Sequence, residues 1–211
     1  MAIPVLIIGK SGSGKSASMM NLDPKQTALI SVLGKPLPFK GKFDQVVTDD
    51  TTKIISIVKA AKRDIIVIED AGYTMTNMFM RSHAAGGGGN SVFTLYNNIG
   101  DSFWNMVESA RYIQGDKRVY FIMHEEQNDF GNIRPKTIGK MIDEKVCLEG
   151  MFTIVLRCMV SNGKHVFRTQ SDGLDVAKTP MGMFDSDEIP NDLAMVDKAI
   201  CEYYDIGGKT E

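Results

Sequence analysis

The run Pro4-Val5-Leu6-Ile7-Ile8 stops at Gly9 and opens directly into GKSGSGKS, residues 9–16. An apolar run of this length, closed by glycine, reads as a fully buried strand feeding a tight loop. The loop matches G-x-x-x-x-G-K-[ST] in full, with Gly9, Gly14, Lys15 and Ser16 at the defining positions. Its glycines let backbone N–H groups turn inward at phosphate oxygens, and a helix expected after Ser16 adds the positive end of its dipole. Lys15 is then placed to meet β- and γ-phosphates, and the Ser16 hydroxyl to ligate Mg²⁺. The expected cradle is Gly9, Ser11, Gly12, Ser13, Gly14, Lys15, Ser16 and Ala17, and the expected ligands are ATP and Mg²⁺. Such a loop names a ligand and leaves the task open.

The rest of the chain narrows the architecture. Its 211 residues suffice for one well-buried core, and 43% hydrophobic with 24% charged residues is an ordinary globular composition. One domain over 1–211 is expected, with a tail at 205–211 that is mobile. A net charge of −2 argues against coating nucleic acid by bulk charge, though not against locally basic loops. Cys147, Cys158 and Cys201 lack metal-ligand spacing and read as buried thiols in a reducing compartment. No apolar stretch approaches the roughly 20 residues of a membrane span, and MAIPVLIIG lacks a basic start and a cleavage site. A cytoplasmic location is expected, with no membrane partner.

Further buried strands are expected at 27–33, 64–70 and 118–123. Helices are expected at 51–63, where a threonine can cap the start, and at 93–113. Strands alternating with helices imply a parallel sheet covered on both faces, an α/β fold. In the last third, MFTIVLRCMV and KHVFRTQ flank Asn162-Gly163, which suits a tight hairpin turn at the sheet edge. A closing helix over 191–204 follows, with Asn191 or Asp192 as cap and Leu193, Val196, Ala199, Ile200 and Tyr203 on one face.

The run IIVIED delivers Glu69 and Asp70 to the carboxyl end of a strand, where ligands bind in open α/β sheets. Glu69 is assigned to the metal, because it follows the run directly, and Asp70 to the attacking water. Common P-loop motors place aspartate first and glutamate second; here the order is reversed. The strand at 118–123 ends in His124, a candidate sensor of the γ-phosphate, with Glu125 second. Guanine-specific switches carry N-K-x-D and small-molecule kinases an arginine-rich lid; neither feature is present.

Three longer stretches carry a resemblance: VIEDAGYTMTNMFMR, KTIGKMIDEKVCLEGMFTIVL and TQSDGLDVAKTPMGMF…IPNDLAMVDKAICEYY. They are similar to phage-encoded ATP-binding proteins with a minimal RecA-like P-loop core, a family that includes single-strand-annealing recombination proteins. The resemblance runs from Ile3 to Tyr204. It implies a RecA-type core, ATP hydrolysis at subunit interfaces and action on single-stranded DNA. In such relatives the acid pair usually reads aspartate-aspartate, so Glu69 is a departure. Larger RecA-type enzymes also carry a catalytic glutamate at the end of the second strand, whereas TALISVLGKPLPF supplies no acid. Either Asp70 takes that role or turnover is slow.

RecA-type cores bind single strands through two mobile loops, and the long irregular stretches here are 81–91 and 125–140. The second carries Arg134, Lys136 and Lys140 for phosphates and Phe130 for stacking on a base, diluted by Glu125, Glu126 and Asp129. The segment 168–184 leaves Met181, Met183 and Phe184 exposed unless something covers them, which an interface between copies would explain. Lys178 would then reach a neighbour's γ-phosphate in trans, with Arg168 as alternative.

The leading expectation is a Mg-dependent ATPase acting on single-stranded DNA in phage recombination or replication, by annealing or strand exchange. It would work as a homo-oligomeric ring or filament, with a replication or single-strand-binding protein as a further partner. The alternative is a loader or adaptor ATPase for a replication protein such as a helicase, and a metabolic kinase comes third.

Overall fold

Consecutive residues of the apolar strands serve opposite faces of one sheet, which is why the runs are continuously apolar rather than alternating. The computed structural model describes residues 1–84 and 90–207. Its first half runs β1 (Ile3–Gly9), β2 (Thr27–Ser31), β3 (Gln45–Val47), α1 (Thr51–Ala60), β4 (Ile65–Glu69), α2 (Tyr73–Ser82) and α3 (Asn90–Arg111). The second half runs β5 (Arg118–Gln127), β6 (Ile133–Pro135), α4 (Lys140–Lys145), β7 (Ile154–Ser161), β8 (Lys164–Arg168), β9 (Glu188–Pro190) and α5 (Leu193–Tyr204). Among the described residues these strands form a nine-stranded sheet in the order β3-β2-β4-β5-β1-β7-β8-β9, with β6 paired to β5. The strands from β3 to β7 are parallel, and β8 and β9 add antiparallel partners at one edge. The expected α/β P-loop architecture with an antiparallel edge is the one observed.

On one face Leu6, Ile8, Ile66 and Ile68 pack against Ile54 and Val58 of α1 and Phe103 and Val107 of α3. On the other, Val5, Ile7, Val67 and Tyr120 meet Leu193, Val196 and Ile200 of α5. Leu29 of β2 joins that second core together with Met19 of the short helix Ala17–Asn21. Leu37, Phe39 and Phe43 from the turn-rich segment 34–44 pack against the same core.

Several local expectations change. The helix after Ser16 is a short 3-10 helix, Ala17–Asn21, under two turns long, so it offers the phosphate site few aligned peptides. The cap of α1 is Asp50, not a threonine: its carboxylate accepts from Thr52 N at 2.9 Å and Lys53 N at 3.2 Å. Asp192 rather than Asn191 caps α5. The stretch 125–140 is not an irregular loop. Strand β5 continues to Gln127 and folds back on β6, pairing Glu126 with Arg134. Asn128 Oδ1 closes the tip by accepting from Phe130 N and Asn132 N. In the stretch 81–91, Arg81 and Ser82 finish α2, while residues 85–89 lie outside the described residues, as do 208–211 of the tail.

The β7–β8 hairpin turns as expected, with Asn162 at φ 50° and Gly163 at φ 74°, the pair of positive φ values a two-residue primed turn needs. The segment after β8 is covered by its own chain. Met183 is buried and Phe184 half-buried against the second core, and of the three only Met181 is exposed, at 93%. Lys178 exchanges backbone hydrogen bonds with Val155 at 2.9 and 2.8 Å, so it is tied to the sheet edge. Of the cysteines, Cys158 is buried and Cys201 partly so. Cys147 is exposed, contrary to the expectation of three buried thiols.

A buried polar cluster fastens α5 to the sheet. Arg118 Nε and Nη2 each donate to Asp197 at 2.9 Å, and Tyr120 Oη donates to Asp197 Oδ1 at 2.5 Å. Burial alone would weaken the Arg118 charge, but the Asp197 carboxylate outweighs it and raises the guanidinium pKa. Burial and the same carboxylate hold the Tyr120 hydroxyl protonated. Removing one partner strands the others in the interior. Asp197→Ala should therefore lower unfolding stability by about 3–5 kcal/mol in urea titration. The exposed neighbour Lys198→Ala should stay within ~0.5 kcal/mol.

Candidate nucleotide-binding site

The site is assembled by register. Gly9 at the end of β1 stands opposite His124 of β5 and Cys158 of β7, and Ser31 at the end of β2 stands opposite Glu69 of β4. Strands β1, β2 and β4 end at these positions while β5 and β7 run on to Gln127 and Ser161, which opens a crevice above the sheet. A cavity of about 300 Å³ lies there. Ser11, Gly12, Gly14, Lys15, Ser16 and Ala17 form one wall, and Lys35, Asp70, His124 and His165 face them. A larger cleft, of about 490 Å³, opens between α3 and the start of β5 near Lys59 and Lys117, and none of the loop's donors reaches it.

The loop is braced from beneath by the last third of the chain. Asn191 Nδ2 donates to Gly14 O at 2.9 Å, and His165 Nδ1 lies 2.7 Å from Ser13 O, which requires that nitrogen to carry the proton. The Cys158 thiol, pushed up to about 11 by burial, donates to the same carbonyl at 3.0 Å. The fit leaves no room for side chains. A Cβ at Gly9 would stand 2.4 Å from Cys158 O, and one at Gly14, whose φ is 102°, 2.6 Å from Asn191 Nδ2. Gly9 and Ser13 thus shape the loop from below rather than line the cavity.

Lys15 is buried and bent over its own loop, donating to Gly9 O at 2.8 Å and Lys10 O at 2.7 Å. Burial lowers its pKa. Glu69 is 2% exposed; it hydrogen-bonds the Ser16 hydroxyl, and its Oε2 has no hydrogen-bond partner among the described residues. Burial raises its pKa, with the charge of Asp70 adding to the effect against the Ser16 hydrogen bond. A hydroxyl and an orphaned carboxylate oxygen side by side fit a divalent cation. No group of three or more His, Cys, Asp or Glu residues suited to a metal occurs among the described residues. Bound Mg²⁺ would therefore complete its shell with phosphate oxygens and water.

Asp70 is buried and sits at φ 58°, a left-handed conformation uncommon outside glycine. Its Oδ2 is 2.7 Å from Lys35 Nζ, and its Oδ1 is 3.9 Å from His124 Nε2. Burial, then the Lys15 charge, lowers the His124 pKa, so the ring is neutral near pH 7. A second cavity, of about 240 Å³, continues past Asp70 and His124 to Tyr73, Thr76 and Lys136.

Of the remaining sequence candidates, Glu125 and Lys136 line the second cavity with Asp70 and His124, and the others lie apart. Arg134 pairs with Glu126 at 2.8 Å on the β5–β6 hairpin, and the side chain of Lys140 lies outside the described residues. Glu125 is held by both Nε and Nη2 of Arg157, at 2.9 and 3.2 Å, and Arg168 by Asp172 and Asp175. Lys178 does not line its own chain's cavity. Lys35, His165 and Asn191 were missed. Lys35 reads as a turn residue in GKPLP, and the other two are a strand histidine and a residue preceding a helix cap. Only pairing between distant strands brings them to the loop.

The parallel sheet, the glycine cradle with its buried lysine and the paired acids at an adjoining strand end define a P-loop NTPase. A family model described as an AAA domain matches residues 1–181, and the chain belongs to that family. It is an AAA-type, nucleotide-binding ATPase domain. No curated protein matched the chain.

The raised Glu69 pKa gives a test with a defined sign. As pH falls, Glu69 takes up a proton above the ordinary carboxyl value of 4.5, and a protonated carboxyl would no longer serve a metal. Mg²⁺ affinity in the presence of nucleotide should accordingly fall at a pH above that value, and Glu69→Gln should flatten the response. The Glu69 contribution to stability without ligand runs the other way and improves on acidification, because protonation removes a buried charge. Calorimetric Mg²⁺ titrations from pH 8 to 5 with an unshifted midpoint would remove Glu69 from the metal role.

Proposed function

We propose that this chain is a Mg-dependent ATPase that acts on single-stranded DNA in recombination or replication, by annealing or strand exchange. The observation that supports the reading is the continuity between its two cavities. Asp70 and His124 line both the nucleotide cavity and the neighbouring one, and Lys136 of the β5–β6 hairpin lines the second. Lys136 N also donates to His124 O at 2.8 Å. A backbone phosphate held by Lys136 would thus press on the strand end that meets the γ-phosphate.

In the proposed reaction Lys15 leaves the Gly9 and Lys10 carbonyls for the β- and γ-phosphate oxygens. Ser16 and Glu69 would hold Mg²⁺, which would supply positive charge to the phosphates. Asp70 accepts a proton from water as the water oxygen attacks the γ-phosphorus and ADP leaves. Neutral His124 donates or accepts one hydrogen bond beside it. The short 3-10 helix behind the cradle, Ala17–Asn21, favours slow turnover in the absence of DNA.

The loader or adaptor reading is favoured by a different observation, the Glu126 partner of Arg134 on the same hairpin, which weakens its pull on phosphates. Salt dependence separates the two. In Arg134→Ala/Lys136→Ala, the slope of log affinity for single strands against log salt should fall by about 0.7 per lost contact. Annealing should be lost and ATP affinity kept. An unchanged slope with normal annealing would favour the protein-partner reading.

Assembly into a ring or filament would bring Lys178, fixed at the sheet edge by Val155, to a neighbouring protomer's γ-phosphate. Mixing Lys178→Ala with Lys15→Ala subunits should then restore part of the ATPase, because some interfaces carry both intact halves. A mixture that assembles and stays as inactive as its parents would remove Lys178 from that role.

A further inference from the structure

Lys35 reaches the phosphate cavity through a series of local constraints. Strand β2 ends at Ser31 opposite Glu69, and Val32 N still donates to Glu69 O at 3.1 Å, so the chain leaving β2 starts beside the acid pair. Ser31 Oγ accepts from Gly34 N at 3.0 Å, and Gly34 takes φ 64°, which turns the chain sharply. A Cβ at Gly34 would lie 2.8 Å from Val47 Cγ1, so β3 packs directly against the turn. Pro36 then confines Lys35 to extended backbone. The side chain crosses the mouth of the cavity to Asp70, with 52% of Lys35 exposed against 5% of the carboxylate.

Two ammonium groups therefore face the space a triphosphate would fill, Lys15 on the floor and Lys35 at the mouth. Lys15 is committed to the β–γ bridge by its place in the loop. Lys35 has a flexible stem, an exposed position and a partner, Asp70, that the proposed chemistry needs free. We propose that Lys35 is a γ-phosphate ligand supplied in cis, which exchanges Asp70 for the γ-phosphate when ATP is bound and returns to Asp70 when only ADP remains. The exchange exposes Asp70 Oδ2 at the moment a phosphate is present to be attacked. It also makes the Lys35–Asp70 pair a discriminator, because ADP lacks the oxygens that would draw the ammonium away. The inference rests on the proposed reading of the cavity as an ATP site.

The test compares binding of the non-hydrolysable β,γ-imido analogue of ATP with binding of ADP by calorimetry, for the full chain and for Lys35→Met and Lys35→Arg. Methionine keeps most of the apolar stem and removes the charge; arginine keeps the charge. Lys35→Met should lose roughly tenfold or more in analogue affinity while ADP affinity changes little, the scale of one charge-assisted hydrogen bond. Lys35→Arg should recover part of the preference. ATP turnover of Lys35→Met should fall by about 10² or more. Unchanged thermal unfolding confirms that the comparison reads the site rather than the fold. If Lys35→Met is less stable, the ratio of the two affinities, taken below its melting transition, still decides. An unaltered ratio overturns the Lys35 assignment alone. Binding of neither nucleotide by the wild-type chain overturns the ATP-site reading and the assignment with it.

Discussion

The backbone ladder that holds β1 between β5 and β7 sets the position of every group at the site. Parallel pairing fixes Gly9 level with His124 on one side and Cys158 on the other, and pairing of β4 with β2 fixes Glu69 level with Ser31. A slip of one residue in any of these ladders would exchange the side chains fitted to the two cores, so close packing on both buried faces locks the register. The phosphate loop is thus positioned by hydrophobic burial on both sides of the sheet, several residues away from any polar contact with a ligand.

Above that frame the site balances charge at close quarters. Glu69 and Asp70 are both buried and adjacent in sequence, and they are not equivalent. Glu69 lies at the strand end with the Ser16 hydroxyl; Asp70 has already left β4 in a left-handed conformation and faces Lys35 and His124. Each acid thereby has its own neighbour, and the reversal of the usual aspartate–glutamate order has a structural counterpart. The residue directly after the apolar run faces the cradle serine, and the next one faces the open cavity. The strained conformation of Asp70 persists because Ala71 N is anchored to Ile122 O at 2.8 Å and Tyr73 N to Asp70 O at 2.8 Å.

What the sequence made legible was whatever repeats with a short period or a fixed spacing. The buried strands, the cradle from Gly9 to Ser16, the acid pair and the Asn162-Gly163 turn all announce themselves within about ten residues. Three other features did not. Nothing in the pattern of the closing helix singles out Asp197, yet it is the buried partner of Arg118 and Tyr120, 79 and 77 positions away. Lys35 looked like part of a turn because nothing nearby shows that its strand is paired with β4. The stretch 125–140 looked irregular because its strand continues through HEEQ, polar residues that alternate no apolar pattern, and pairs with only three residues.

The brace beneath the phosphate loop has a consequence for how the molecule comes into being. Ser13 and Gly14 are held by His165 and Asn191, partners 152 and 177 positions later in the chain. Asn191 lies beyond the residue at which the AAA-domain match ends. During synthesis the cradle sequence emerges long before its supports. A nascent chain therefore carries a glycine-rich loop with unanchored carbonyls until the terminal hairpin and α5 close over it. The cradle takes its final shape only once residues more than 150 positions downstream have been made and folded against it.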